Sequence, residues 1–154
     1  MQRRSFLKGT LAGSAVAVAV GAGLLSPRAV LAAWPKAAFE AKSVNDAMKG
    51  LFGSADNTPS GDIKIKAPDI AENGAVVPVS VSTTMGNVAS IAVIAEKNGT
   101  PLASNFKLGA NALPNVSTRI KMGKTSDVIA VVKANGKAYS ARKNVKVTIG
   151  GCGG

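Results

Sequence analysis

The spacing of hydrophobic residues changes near residue 60. Between residues 37 and 53, apolar side chains recur mainly at three- and four-residue steps. This spacing is typical of an amphipathic helix, and a glycine follows its last apolar residue. From Asp62 onward, apolar and polar residues alternate in short runs, which is typical of half-buried strands. The pattern therefore predicts one N-terminal helix followed only by strands.

Seven strands are predicted from the alternating runs, with turn residues between them. Asn135-Gly136 separates two such runs and is a strong signal for a two-residue hairpin. Seven short strands without an intervening helix favour an immunoglobulin-like antiparallel β-sandwich, although the Cys-Trp-Cys core of antibody domains is absent. We expect strands at 63–67, 75–83, 88–96, 103–108, 116–122, 127–134 and 138–149, the last a candidate for a break near 143–144.

Residues 1–32 have the composition of an export signal. Arg3 and Arg4 precede an apolar run of Ala, Val, Gly and Leu, and small residues frame a cleavage site after Ala32. The run is too short and too rich in Gly and Ala to favour a membrane span. The paired arginines resemble the twin-arginine signal, which exports folded proteins across the bacterial inner membrane; an ordinary signal with two chance arginines is the alternative. We therefore expect a mature domain at 33–149, located in the periplasm.

Composition and charge remove several classes of function. The 154 residues suffice for one domain, and they include one Cys and no His. An internal disulfide, a zinc or haem ligand set and a Ser-His or Cys-His nucleophile pair are thereby excluded, and no metal or cofactor is expected. The signal holds four basic residues and no acidic one, so its removal lowers the formal net charge from +11 to +7. No dense basic cluster with interleaved aromatics is present, so a nucleic acid is not expected as a partner. A membrane is not expected either, because the polar face of the helix is mixed in charge and its apolar stripe fits a cap on the core. A solvated basic face and attraction to a small anion or an acidic protein stay open.

The only thiol lies in a glycine-rich tail. Alternation persists to Ile149, and five residues follow: Gly150, Gly151, Cys152, Gly153 and Gly154. Glycines offer no side chain to pack the thiol down, and five residues reach roughly 17 Å at most. An ordinary thiol, with a pKa of about 8.5, is only a few per cent thiolate at neutral pH, which suits a carrier better than an enzyme. We interpret residues 150–154 as a swinging arm that holds a group covalently on Cys152 and enters narrow clefts of partner proteins; a frayed terminus is the alternative.

Several segments of the chain together resemble the SoxY family, the sulfur-carrier subunits of the bacterial thiosulfate-oxidising system. These segments are the twin-arginine signal, the early helix, residues 67–81, 91–98 and 117–132, and the terminal VKVTIGGCGG. One departure is visible at Gly99-Thr100-Pro101, where the family more often has Pro-Asn-Pro. This difference alters a turn and leaves the implied function unchanged.

The resemblance implies partners and a reaction sequence. SoxY proteins form a heterodimer with SoxZ, a second small β-sandwich subunit. A haem c enzyme would join thiosulfate oxidatively to Cys152, and a manganese hydrolase would then release sulfate and leave a persulfide. In systems that have it, a molybdenum- and haem-containing sulfane dehydrogenase would oxidise the remaining sulfur. The chain would then be a carrier on which enzymes act and would itself contain no catalytic residue.

Three other functions remain open at this stage. A ubiquitin-like carrier also ends in Gly-Gly, but it needs a β-grasp fold with a helix amid the strands and activation by ATP. A periplasmic binding or interaction module with an incidental tail would not need residues 150–154. A soft-metal donor would need a second ligand beside Cys152, which a dimer could supply.

Overall fold

The computed structural model describes residues 34–148, in which two helices precede nine strands. The helices are α1 (Lys36–Glu40) and α2 (Val44–Phe52). The strands are β1 (Thr58–Pro59), β2 (Ile63–Lys66), β3 (Ile70–Ala71), β4 (Val77–Thr83), β5 (Val88–Ala95), β6 (Leu102–Lys107), β7 (Asn115–Ile120), β8 (Ser126–Ala134) and β9 (Lys137–Val147). The predicted break in the last strand is wrong, since Lys143 and Asn144 pair in register with Val128 and Asp127 of β8.

The single predicted helix is divided in two at Ser43. This residue has extended backbone angles, and its hydroxyl accepts a hydrogen bond from the Asp46 amide at 3.1 Å. Such a side-chain cap satisfies an amide that has no partner within the helix, so it starts α2 and separates it from α1. The predicted end of the helix at a glycine is confirmed: Gly53 has φ of 77° and donates its N–H to the Lys49 carbonyl.

Two sheets face each other, which confirms the predicted β-sandwich. The larger sheet has the order β1-β9-β8-β5-β6, with β3 also paired to β9, and the smaller has the order β2-β4-β7. All long strands pair antiparallel, as predicted. The exceptions are β1 and β3, two-residue strands that pair parallel to β9 and that the alternation does not reveal.

The larger sheet is covered on both faces. On β5, Ile91 and Val93 face the smaller sheet, whereas Ala92 and Ile94 belong to a second apolar cluster with Met48 of α2. Because both faces of β5 and β8 are buried over their central residues, the segments 91–95 and 128–132 are continuously apolar rather than alternating. The described chain is thus a three-layer structure in which helices, larger sheet and smaller sheet are stacked in that order.

The sandwich has two ends, which we name by their content. The arm end comprises the loops 67–76, 96–101 and 121–125 and the last residues of β9. The hairpin end comprises the loops 84–87, 108–114 and 135–136. The hairpin prediction is confirmed, because Asn135 and Gly136 have φ of 51° and 75°, the positive values that a tight two-residue turn between twisted strands requires.

Candidate functional site

The residues predicted to carry the chemistry lie outside the described part of the chain. This holds for Cys152 and its four glycine neighbours, and also for Arg3 and Arg4 of the predicted signal. What the structure places is the segment that leads to the thiol. Strand β9 ends at Val147, and the next residue, Thr148, is the last one described and lies four residues before the cysteine. The described part of the candidate site is therefore the root of the arm, by which we mean residues 145–148, where β9 ends.

The end of β9 is held on both sides. On one side, Ser126 of β8 pairs with Val145, and the Thr125 hydroxyl accepts a hydrogen bond from the Val147 amide at 2.9 Å. On the other side, β3 pairs with Lys146 and Val147, and the Thr148 amide donates to the Ala71 carbonyl at 3.2 Å. The last described residues consequently belong to the sheet and are not a frayed strand end.

The loops at the arm end are tied to one another by hydrogen bonds between distant parts of the sequence. The Met122 amide donates to the Gly74 carbonyl at 2.7 Å. The side chain of Asn98 donates its Nδ2 hydrogen to the Lys121 carbonyl at 2.6 Å, and its Oδ1 accepts from the backbone N–H of Gly123 at 3.0 Å. The side chain of Met122 is fully buried beneath these loops. Together these contacts make a fixed surface around the point where the chain leaves the sandwich.

Charges at this end are partly paired. Lys143 binds Asp69 at 3.1 Å and the Ala67 carbonyl at 2.7 Å, which fastens the loop 67–76 to β9. Arg142 contacts Glu96 at 3.0 Å and Asp127 at 3.8 Å. Four exposed lysines form no ion pair within residues 34–148: Lys97, Lys121, Lys124 and Lys146.

Three further features of the described residues concern metals, membranes and clefts. Between residues 34 and 148 no group of His, Cys, Asp or Glu side chains could hold a metal ion, and no helix is long and apolar enough to cross a membrane. A cleft of about 320 Å³ lies near the β8–β9 hairpin and is lined by Phe52, Lys133 and Lys137 among others, at the opposite end of β9 from the arm.

The sequence pattern did not identify the contacts that fix the root. Ile70-Ala71 is an apolar pair between Pro68 and Asn73-Gly74, and two residues are too few to show a period. Its partner β9 is more than seventy residues away, so no local signal predicts the pairing. Thr125 is an ordinary loop threonine in the sequence, and its role becomes visible only in the fold.

Two comparisons with known proteins, one of sequence with family models and one of structure, point to the same family. The family model described as "Sulfur oxidation protein SoxY" matches residues 48–152, a range that ends at the cysteine. The structure of the sulfur carrier protein SoxY from Chlorobium limicola f thiosulfatophilum is 41% identical, with 75% of this chain and 100% of that chain covered and a TM-score of 0.64. A variant superoxide reductase (neelaredoxin) from Ignicoccus hospitalis is 22% identical over 59% of this chain and 80% of that chain, with a TM-score of 0.50, a likeness of fold alone. No curated protein matches this chain.

Proposed function

Because the chain belongs to the SoxY family of sulfur oxidation proteins, whose role is to carry sulfur, we propose that it holds intermediates of thiosulfate oxidation covalently on Cys152. The anchored end of β9 is the observation that supports this proposal most directly. It fixes the body of the protein at a short distance from the chain's only thiol. The matched range of the family, which extends to that thiol, gives independent support.

The length of the tether defines what the thiol can reach. Cys152 is four residues beyond Thr148, so its Cα lies at most roughly 14 Å from the last described Cα. Two glycines precede the thiol and two follow it, and none has a side chain that would widen the segment. The thiol could therefore enter a narrow cleft of another protein while the sandwich stays outside.

The reaction sequence assigns one role to this chain and the others to partner enzymes. A haem enzyme would join the Cys152 sulfur to the outer sulfur of thiosulfate. The two electrons removed would pass one at a time through its haem to an electron acceptor, and the thiol proton would be released. A manganese hydrolase adds water to the terminal sulfone group, which leaves as sulfate and produces a persulfide on Cys152. Where a molybdenum- and haem-containing sulfane dehydrogenase exists, it would oxidise the outer persulfide sulfur to a sulfonate, with three oxygen atoms from water and six electrons passed to its cofactors. The hydrolase would then release this group as sulfate and restore the Cys152 thiol.

The proposal includes a location and a partner subunit. The Arg3-Arg4 signal would direct the folded protein to the periplasm by the twin-arginine route. Membership of the family implies partners of the same sulfur-oxidising system, and we propose a SoxZ-like subunit as the constitutive one, in a heterodimer. The fold counts against the ubiquitin-like alternative, since both described helices precede the first strand and a β-grasp fold needs one amid the strands.

The test is the intact mass of the mature protein from thiosulfate-grown cells, measured before and after treatment with reductant. We expect reductant-labile additions of thiosulfate or of sulfur, and peptide mapping should confine them to Cys152. The same mapping would detect a thiocarboxylate on the final glycine, the product that a ubiquitin-like carrier requires. An unmodified thiol at every stage of growth would overturn the proposal.

A further inference from the structure

The arm end has an excess of exposed positive charge. Among its acidic residues, Asp69 and Glu96 are engaged by Lys143 and Arg142, and Glu72 remains without an ion pair in the described chain. The lysines at 97, 121, 124 and 146 are exposed and unpaired there. The first three lysines lie on loops that are cross-linked by Asn98 and Met122, and the fourth lies on β9. The charges are therefore displayed on a fixed surface.

Two exposed apolar side chains accompany these lysines. Ile70 is 55% exposed and Val76 is 50% exposed, and both belong to the segment that clamps the end of β9. Ile70 lies opposite Lys146 in the pairing of β3 with β9, directly beside the root of the arm. Protein interfaces commonly have apolar side chains at their centre and polar residues at their rim, so Ile70 and Val76 could contribute apolar contacts and the lysines a charged rim.

The short tether brings an enzyme that acts on the thiol close to this surface. The Cα of Cys152 lies within roughly 14 Å of Thr148, and an active-site cleft uses much of that length. The mouth of the cleft must then come close to the loops that surround Thr148. Those loops are 67–76 and 121–125, which carry Ile70, Val76, Lys121 and Lys124.

We propose that the arm end is a docking surface for the enzymes that modify Cys152, and that their cleft mouths are acidic with an apolar patch. The inference rests on the proposed carrier function and adds to it a recognition surface outside the arm. Complementary charge at the rim of an interface raises the association rate, and salt weakens the effect. Docking therefore acts on the capture of the carrier, while the chemistry at the thiol is unchanged.

The experiment uses the full mature chain in its heterodimer, with the haem-containing conjugating enzyme of the same organism and thiosulfate. The test variant is the triple reversal Lys121→Glu, Lys124→Glu and Lys146→Glu. The matched control is Lys42→Glu, Lys107→Glu and Lys137→Glu, which makes the same change of net charge at exposed lysines away from the arm end. We measure kcat and KM for the carrier, and the thermal midpoint of each variant shows that it is folded.

For the test variant we expect KM at low salt to rise roughly ten- to a hundredfold, with kcat nearly unchanged. The control variant should stay within about twofold of the wild-type KM. At about 1 M salt, where charges are screened within a few ångströms, the difference between the variants should largely disappear. If the triple variant does not fold, Lys124→Glu alone takes its place in the test, and we expect it to raise KM severalfold.

The apolar pair is tested separately. Ile70→Ser with Val76→Ser should raise KM at high and low salt alike, because these side chains contribute apolar burial and carry no charge that salt could screen. The control is Leu113→Ser, which removes an 83% exposed leucine at the hairpin end and should leave KM unchanged.

The outcomes separate the two proposals. Equal KM values for the arm-end and control reversals, with Cys152 still loaded, would overturn the docking surface and leave the carrier function standing. Absence of any thiosulfate adduct on the wild-type Cys152 would overturn the carrier function itself.

Discussion

The loops at the two ends of the sandwich differ in their content of charged residues. The hairpin-end loops 84–87, 108–114 and 135–136 contain no charged residue. The arm-end loops 67–76, 96–101 and 121–125 contain six, and further charges follow on β9. The same strands enter both ends, so the fold does not require this difference. The difference fits the proposed docking surface, in which the hairpin end only reverses the chain and the arm end contacts partner enzymes.

Hydrogen bonds join distant parts of the chain at both ends. At the hairpin end, the side-chain amide of Asn87 donates to the side-chain oxygen of Asn135 at 3.0 Å, and the two residues are 48 positions apart. At the arm end, Asn98 and Met122 join loops that are more than twenty residues apart. Both ends are therefore fixed, and the difference between them is one of charge. The proposed docking role of the arm end and the structural role of the hairpin end can be separated by substitution.

The largest expected effect is that of Cys152→Ser. This change should abolish thiosulfate loading because no other thiol exists in the chain, and it should leave the thermal midpoint unchanged. Loading is measured by intact mass and folding by circular dichroism. Leu113→Ser at the hairpin end is the control and should load normally. Loading that persists in the serine variant would show that the proposed attachment site is wrong.

Met122→Ala should have the next largest effect, on stability. The side chain is fully buried under the arm-end loops, and truncation of such a residue typically costs about 2–5 kcal/mol. Denaturant unfolding of the mature domain measures the decrease. We expect thiosulfate loading to slow as well, because the loops that surround the root are then less well supported. A decrease well below 1 kcal/mol would mean that these loops are not anchored to the core through Met122.

The sequence predicts those features of the fold that are encoded locally. The end of α2 at Gly53, the hairpin at Asn135-Gly136 and the seven long strands all follow from spacing and turn residues. The split at Ser43 is missed because apolar spacing continues across it. The strands β1 and β3 are missed because each is two residues long and pairs with distant β9.

The candidate site also has one part that the sequence reveals and one part that only the fold reveals. The thiol and its glycines are conspicuous in the sequence and stay a prediction, since they lie outside the described residues. The fixed root is not predictable from side-chain chemistry, because its partners include the backbone carbonyls of Asp69 and Ala71. Any residue offers a carbonyl, so only the fold shows which ones are used.

Gly136→Ala should reveal the structural role of the hairpin end. Gly136 has φ of 75°, and a side chain in this left-handed region costs about 1–2 kcal/mol. We expect the free energy of unfolding to fall by that amount in denaturant titrations, with thiosulfate loading of Cys152 unchanged. Impaired loading at wild-type stability would contradict the separation of the two ends.

The smallest effect expected is that of Thr125→Val, which keeps the shape of the side chain and removes the hydroxyl that accepts from the Val147 amide. One such hydrogen bond contributes about 1 kcal/mol, so hydrogen exchange at Val147 should quicken about fivefold if that amide exchanges by local opening. The matched control is Thr83→Val at the hairpin end, where the hydroxyl accepts from the Met85 amide at 3.2 Å. It should quicken exchange at Met85 and leave Val147 unchanged.

A root that loosens should also position the thiol less well, so loading should slow modestly in Thr125→Val and stay normal in Thr83→Val. Equal loading rates in the two variants, despite faster exchange at Val147, would show that the carrier needs the arm but does not need a fixed root.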